Sequence, residues 1–79
     1  MIAIEVTYFG ILSEKRGLTH ENIFTAVADA SGLFAQVFGV DNAALRGVVR
    51  AVVNDEIVSW DCVLRDGDQV AFLPPMSGG

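Results

Sequence analysis

Residues 66–79 read DGDQVAFLPPMSGG, which is a turn, a strand and a tail in direct succession. The Asp-Gly pair at the start is typical of a tight turn, and the alternating side chains after it predict a strand from Asp68 to Leu73. Pro74 and Pro75 each fix φ and push the preceding residue out of the helical region. We therefore expect residues 74–79 to leave the domain as an extended tail.

The tip of that tail carries almost no side chain. Gly78 and Gly79 lack a Cβ, so their backbone can enter a channel that is too narrow for any other residue. Disorder is the ordinary interpretation of such a segment, because terminal residues often fray. The stiff prolines, the apolar Met76 and the strand directly before them favour insertion into a partner, with Ser77 in the threaded segment.

The first part of the chain predicts two strands joined by a short connection. Ile2 to Phe9 alternates with period two, so its even-numbered side chains are expected to face a core. Residues 11–16 fit a short helical turn, and Gly17 fits its C-terminal side. Glu21 to Val27 predicts the second strand, and apolar residues on both of its faces leave its register open.

The periodicity becomes helical between Ala30 and Phe38. Asp29 or Ser31 is suited to cap the N-terminus of this helix. Gly32 lowers the stability of the helix by about 1 kcal/mol relative to alanine, so the helix needs packing against a sheet. One face of the predicted helix carries Leu33, Phe34, Val37 and Phe38.

The second half of the chain predicts further strands. Val40 to Gly47 is expected to be a loop in which Leu45 packs on the core. Val48 to Val53 predicts the third strand. Asn54 and Asp55 suit the tight turn of a hairpin, because both tolerate positive φ, and a short fourth strand follows from residue 56.

This order of two strands, one main helix and further strands predicts an α+β fold. A mixed sheet of four to five strands over one main helix is the β-grasp, or ubiquitin-like, arrangement. A doubly wound α/β fold is excluded, because it requires repeated helical crossovers. Since 79 residues leave room for one core, we expect one domain over residues 1–73 and the tail over residues 74–79.

The net charge and the cysteine content limit which kinds of partner and which kinds of site the sequence allows. The net charge is −5, with ten acidic and five basic residues, and such a surface repels the phosphates of nucleic acids. The first residues do not resemble a signal peptide and no apolar run approaches membrane-spanning length, so we expect a cytoplasmic protein that binds neither nucleic acid nor membrane. Cys62 and His20 are the single cysteine and histidine, so no metal site or iron-sulfur cluster is expected. Cys62 is interpreted as a partly buried core residue, and a thiolate nucleophile oriented by His20 stays open as the alternative.

An apolar surface is predicted at the root of the tail. Arg50 on the third strand is expected to face water, which places Val52 on the same outer face. On the last strand, the exposed position of Gln69 likewise places Ala71 and Leu73 outside. If the two strands are neighbours, these side chains and Met76 form an exposed patch beside Arg50, which is typical of a partner-binding site. Scattered surface apolar residues are the ordinary alternative.

Several of these motifs together resemble the family of molybdopterin synthase small subunits, within the wider group of ubiquitin-like sulfur carriers. The specific motifs are Asp-Gly-Asp before the last strand and Pro-Pro-x-x-Gly-Gly after it, over residues 64–79. Residues 53–55, 58–61 and 8–10 are similar as well. The likeness covers about half of the chain by motif and the remainder by the order of its elements.

This resemblance implies a function for the tail. The Gly79 carboxylate would be adenylated by an ATP-using activating enzyme and converted to a thiocarboxylate with sulfur from a sulfur-donating enzyme. The thiocarboxylate would then donate sulfur to a pterin precursor in the large synthase subunit, which is expected to hold the catalytic residues. No cofactor would be bound stably by this chain. Pro74, Pro75, Ser77 and Gly78 would aim and thread the tail.

Three other functions stay open at the level of the sequence. A sulfur carrier of the thiamine type shares the Gly-Gly motif, although the proline pair and Phe72 favour the molybdopterin family over it. A ubiquitin-like protein modifier shares the motif as well, and the sequence barely separates it from a sulfur carrier. A plain interaction module, whose tail does no chemistry, is the third.

Overall fold

The computed structural model describes residues 1–39 and 43–75. The expectations for Met76, Ser77, Gly78 and Gly79, and for the start of the predicted loop at residues 40–42, lie outside these residues. The elements in chain order are β1 (Ile2–Tyr8), α1 (Ile11–Arg16), β2 (His20–Thr25), α2 (Ala30–Phe38), α3 (Ala43–Arg46), β3 (Arg50–Val53), β4 (Glu56–Val58) and β5 (Gln69–Leu73).

Within the described residues, five strands form one mixed sheet in the order β2-β1-β5-β3-β4. β1 and β5 run parallel, whereas β2 is antiparallel to β1 and β3 is antiparallel to both β4 and β5. The sheet packs on α2, and this arrangement confirms the predicted β-grasp fold. β5 is the middle strand, so the chain leaves the centre of the sheet where the tail begins.

The core lies between the sheet and α2. The predicted alternation of β1 is confirmed, since Ile4, Val6 and Tyr8 are buried and Ile2 is partly buried. Phe72 on β5 is fully buried among aromatic rings, with ring centroids 5.4 Å from Phe34 and 5.9 Å from Trp60. The remaining buried apolar side chains are Leu12, Ala30, Leu33, Val37, Val49, Ala51, Val53, Leu64 and Val70.

The start of α2 shows why a glycine stands inside that helix. Asp29 is the N-cap residue, and its Oδ1 accepts a hydrogen bond of 2.8 Å from the backbone N–H of Gly32. A Cβ on Gly32 would lie 3.3 Å from Val27 Cβ and 3.2 Å from Asp29 Oδ1. The glycine weakens the helix, but its missing side chain allows the capping carboxylate and the preceding segment to lie close to the helix backbone.

Several predicted boundaries differ from the structure, two of them by one residue, since β1 ends at Tyr8 instead of Phe9 and β5 begins at Gln69 instead of Asp68. β2 begins at His20 and ends at Thr25, where the Thr25 hydroxyl accepts a hydrogen bond from the N–H of Val27. Part of the predicted loop forms α3, although Leu45 packs on the core as expected. β3 begins at Arg50 instead of residue 48, because its ladder with β5 ends at the pair Arg50 and Leu73. The next residues of the partner strand are prolines, which have no N–H to donate.

The hairpin between β3 and β4 follows the sequence prediction. Asn54 has φ 51° and Asp55 has φ 70°, which is the pair of positive values that a two-residue hairpin turn requires. This turn fixes the register that places Val52 opposite Ile57. None of the helices in the described part of the chain has the length and apolar character needed to cross a bilayer.

Candidate functional site

The candidate site is the place where β5 passes into the tail. β5 ends at Leu73, Pro74 is partly buried and Pro75 is exposed. The parallel ladder brings Tyr8 of β1 beside Phe72, and the antiparallel ladder brings Arg50 of β3 beside Leu73. The root of the tail is therefore held on both sides by regular hydrogen-bonded strands.

The Asp-Gly-Asp motif fixes the other end of β5 against β1. Asp66 Oδ1 accepts a 2.7 Å hydrogen bond from the N–H of Ala3, and the N–H of Gly67 donates to the Ala3 carbonyl at 2.8 Å. Gly67 has φ 88°, a conformation that favours glycine. The carbonyl of Asp68 accepts a bond from the N–H of Glu5 at 3.1 Å.

The second aspartate of the motif fixes β5 against the β3–β4 turn. The Asp68 carboxylate accepts hydrogen bonds from Asn54 Nδ2 at 3.0 Å and from the N–H of Arg65 at 2.8 Å. Asn54 Oδ1 in turn accepts a bond from the N–H of Gln69 at 3.0 Å. These bonds set the register of β5, and that register determines where the tail emerges.

Three members of the predicted surface lie on one face of the sheet at the root of the tail, and the fourth, Met76, lies outside the described residues. Val52 lies opposite Ala71 across the β3–β5 ladder, and both side chains, like that of Leu73, are half-buried on the outer face. Arg50 is exposed beside them and forms no ion pair within the part of the chain that the structure describes. The role of these residues in partner binding stays a prediction.

Sequence reasoning missed one member of this surface. Ile57 is 69% exposed on β4 and lies opposite Val52, so it shares the outer face. The two-residue hairpin turn was the available signal, because it fixes which residue of β4 faces Val52. We use the name outer patch for the four side chains Val52, Ile57, Ala71 and Leu73.

A polar network holds the end of β1, which lies beside the root of the tail in the sheet. The buried hydroxyl of Tyr8 donates a 2.6 Å hydrogen bond to Glu21 Oε2. Arg16 holds the same carboxylate with two hydrogen bonds, from Nε at 2.6 Å and from Nη2 at 3.0 Å. Burial raises the pKa of Tyr8, and the hydrogen bond to Glu21 and the charge of that carboxylate raise it further. The hydrogen bonds from Arg16 and then Tyr8 lower the pKa of Glu21, against an opposing effect of burial.

We expect this network to make the free energy of unfolding depend on pH in the acidic range, through the ionisation of Glu21. A carboxyl whose pKa is lowered by folding stabilises the protein above its unfolded-state pKa, and this contribution is lost as the pH falls through the folded-state value. The free energy of unfolding of Glu21→Gln should therefore fall less steeply than that of the wild type below the ordinary glutamate pKa of 4.5. Chemical denaturation at a series of pH values measures this. Glu14→Gln, which makes the same change of charge at an exposed residue of α1, is the control, and equal slopes for all three proteins would contradict the prediction.

The single cysteine and the single histidine belong to neither the outer patch nor the polar network around Glu21. Cys62 is half-buried and packs against the core, as predicted. His20 Nε2 lies 3.5 Å from Glu5 Oε1, and both side chains are largely exposed. Within residues 1–39 and 43–75, no cluster of three potential metal ligands occurs.

Comparison with known proteins relates this architecture to a family. The family model of the ThiS family matches residues 6–79. A curated relative, the molybdopterin synthase sulfur carrier subunit of Escherichia coli (strain K12), is 54% identical over 33 residues, which are 42% of this chain and 41% of that protein. The alignment thus spans about two fifths of the length of this relative.

Two solved structures extend the likeness over the whole domain. A putative molybdopterin converting factor, subunit 1, from Pyrococcus furiosus superposes with a TM-score of 0.77 and 25% identity, covering 96% of this chain and 100% of that one. A chain in the complex of subunits 1 and 2 of the molybdopterin-converting factor from Helicobacter pylori 26695 gives a TM-score of 0.63 and 30% identity, covering 99% and 100%. Since the family model matches nearly the whole chain and the β-grasp fold agrees, the chain belongs to the ThiS family.

Proposed function

We propose that this chain is the sulfur carrier subunit of a molybdopterin synthase and that it donates sulfur from a thiocarboxylate at Gly79 in molybdenum cofactor biosynthesis. The observation that carries the proposal is the central strand β5, which runs directly into the proline pair of a Gly-Gly tail. The E. coli relative and the two molybdopterin converting factor structures support the choice of this pathway.

The proposed chemistry explains why an activating enzyme is needed. A carboxylate is a poor electrophile until one of its oxygens becomes part of a leaving group. The activating enzyme would use ATP to join AMP to the Gly79 carboxylate, with release of pyrophosphate. Hydrosulfide released by a sulfur-donating enzyme would then attack the same carbon, displace AMP and lose its proton, leaving a thiocarboxylate whose sulfur is a better nucleophile than the oxygen it replaces.

This chain would present the reacting group to its partners, and the catalytic residues would lie on those partners. Pro74 and Pro75 would keep the root of the tail extended, and Ser77 and Gly78 would pass through the narrow entrance of the partner's active site. ATP would be consumed by the activating enzyme, and the chain itself would hold no cofactor stably. This chain and its three partners would meet in the cytoplasm.

The outer patch and Arg50 would form the docking surface for the large subunit. Apolar side chains around an arginine are typical of the buried centre of protein interfaces. Met76 would extend this surface along the tail. The H. pylori structure is a complex of subunits 1 and 2, and we infer an equivalent partner for this chain.

Mass spectrometry tests the proposed function. The purified chain is incubated with its activating enzyme, ATP and a sulfur source, and the intact mass is compared before and after. We expect a transient adenylate and then an increase equal to the difference between sulfur and oxygen, located in the peptide that contains Gly79. Absence of both products would refute the proposal, and isopeptide conjugates to lysines would indicate a ubiquitin-like modifier instead.

Replacing Leu73 by aspartate is expected to weaken binding to the large subunit by about tenfold or more, because a charge would be buried in the apolar part of the interface. The domain should stay folded, since this side chain points outward. Calorimetric titration measures the affinity and circular dichroism the fold. Val63→Asp is the control, because Val63 is 65% exposed and lies outside the named strands. Equal affinities for the two variants would remove Leu73 from the interface.

A further inference from the structure

The turn between β1 and α1 lies beside the root of the tail. Gly10 is the N-cap residue of α1, with φ 54° and ψ −131°, a conformation that residues with a side chain rarely adopt. Its carbonyl accepts hydrogen bonds from Ser13 Oγ at 2.7 Å and from the N–H of Ser13 at 3.1 Å. Both the position and the direction of this residue are therefore fixed by its neighbours.

The space where Gly10 lacks a side chain is bordered by the tail. A Cβ built on Gly10 would lie 3.1 Å from Pro74 Cγ and 4.0 Å from Pro74 Cβ, whereas carbon atoms in contact normally lie about 3.5–4.0 Å apart. The other described glycines at positive φ, which are Gly17, Gly39 and Gly67, have no such neighbour within 4 Å. The contact with Pro74 thus distinguishes Gly10 from glycines that serve a backbone conformation alone.

The topology explains this contact. β1 and β5 run parallel, and Tyr8 is paired with Phe72. Two residues further along both segments, Gly10 comes alongside Pro74. Because the proline ring fixes φ, a shift of the ring changes the direction of the chain after it, and Pro75 prolongs the stiff segment.

We propose that Gly10 is a positioning residue: the space left by its missing side chain seats the Pro74 ring, and this seat sets the direction in which the tail leaves the sheet. The inference rests on the proposed function, since direction matters only if the tail is presented to an active site. The flanking side chains Phe9 and Ile11 are 46% and 50% exposed, so the seat lies between two apolar side chains that a partner can cover.

Nuclear magnetic resonance tests the seat without any partner. In the wild type we expect a nuclear Overhauser effect between the α protons of Gly10 and the γ protons of Pro74. Gly10→Leu should abolish it and shift the amide resonance of Leu73, while Gly39→Leu, which also places a side chain at a strained positive φ, should leave that resonance unchanged. Absence of the effect in the wild type would overturn the inference.

The kinetics of adenylation distinguish an effect on the direction of the tail from an effect on binding to the activating enzyme. For Gly10→Leu we expect kcat of the activating enzyme to fall by about tenfold or more, because displacement of a reacting group by about 1 Å can cost a hundredfold. KM for the chain should change by less than about twofold, because the substitution alters the direction of the tail and leaves the rest of the folded domain, which the enzyme also binds, unchanged. Gly39→Leu should retain both constants. Equal losses in the two variants, or a raised KM with unchanged kcat, would overturn the positioning role.

A smaller substitution covers the case in which Gly10→Leu fails to fold. Gly10→Ala should shift the Leu73 amide resonance, and the shift should be smaller when Pro74→Ala removes Cγ as well. Additive shifts in the double variant would contradict a contact through the proline ring. If the wild type is not adenylated, the proposed function fails, while the nuclear Overhauser effect still decides whether the seat exists.

Discussion

Deletion of Gly79 is expected to abolish sulfur transfer and to leave the domain folded. The deletion moves the terminal carboxylate back by one residue, about 3.3–3.6 Å along an extended chain. This exceeds the tolerance of an active site, in which a misplacement of about 1 Å can cost a hundredfold. Single-turnover transfer of sulfur to the pterin precursor measures the effect, and thermal unfolding measures the fold.

A variant of unchanged length is the matched control for this deletion. Gly79→Ala keeps the reach of the tail and adds one methyl group, so we expect partial activity that depends on the width of the channel. The midpoint of thermal unfolding should be the same in both variants and in the wild type, because β5 ends six residues earlier, at Leu73. Full activity of the deletion would support a plain interaction module.

Phe72→Ala is expected to cost about 3–5 kcal/mol of unfolding free energy, as is usual for a buried aromatic residue replaced by alanine. Phe72 is fully buried, and its ring lies within 6.3 Å, centroid to centroid, of four other aromatic rings: Tyr8, Phe34, Phe38 and Trp60. Domains of this size have a total stability of about 4–12 kcal/mol. The loss is therefore a large fraction of the total stability, and the variant should unfold at a markedly lower urea concentration than the wild type.

The neighbouring residue provides the control for Phe72. Leu73 is half-buried on the opposite face of the same strand, so Leu73→Ala should cost only about 1 kcal/mol. Urea denaturation followed by circular dichroism compares the two variants, with the fluorescence of Trp60, the one tryptophan, as a second probe. Similar losses would contradict the assignment of the two faces of β5.

The sequence predicted those parts of the fold that depend on local chemistry. Alternation in β1 and β5 identified their buried faces, because one-residue slips would expose every core side chain. The apolar stripe of α2 and the turn at Asn54 and Asp55 were equally informative. In these segments, the side-chain pattern and the φ values that the turn requires are determined by residues close together in the sequence.

The sequence did not predict features that depend on pairing across the sheet. Asp66 and Asp68 were assigned to a turn, but their bonds to Ala3 and Asn54 require β1 and the β3–β4 hairpin to be in place. The network around Glu21 likewise joins residues from three elements. α3 was missed because a four-residue helix is too short to show a period.

The same limit applies to the candidate site. The outward direction of Val52, Ala71 and Leu73 followed from strand alternation once Gln69 and Arg50 were assigned to water. The contact of Gly10 with Pro74 was not predictable, because it depends on the parallel pairing of β1 and β5, which are the first and last strands in the sequence. The residues that perform the proposed chemistry were thus found from motifs, and the residue that aims them was found from topology.

The central position of β5 has a mechanical consequence for the proposed function, in which several enzymes would act on the tail. A pull on the tail is transmitted along β5 and is opposed at the same time by its ladders to β1 and β3. The load acts parallel to the strands, so many hydrogen bonds must yield together, whereas an edge strand pulled sideways would lose them one after another. Under the proposed function, a partner would therefore draw the tail into its channel and release it again without unfolding the domain.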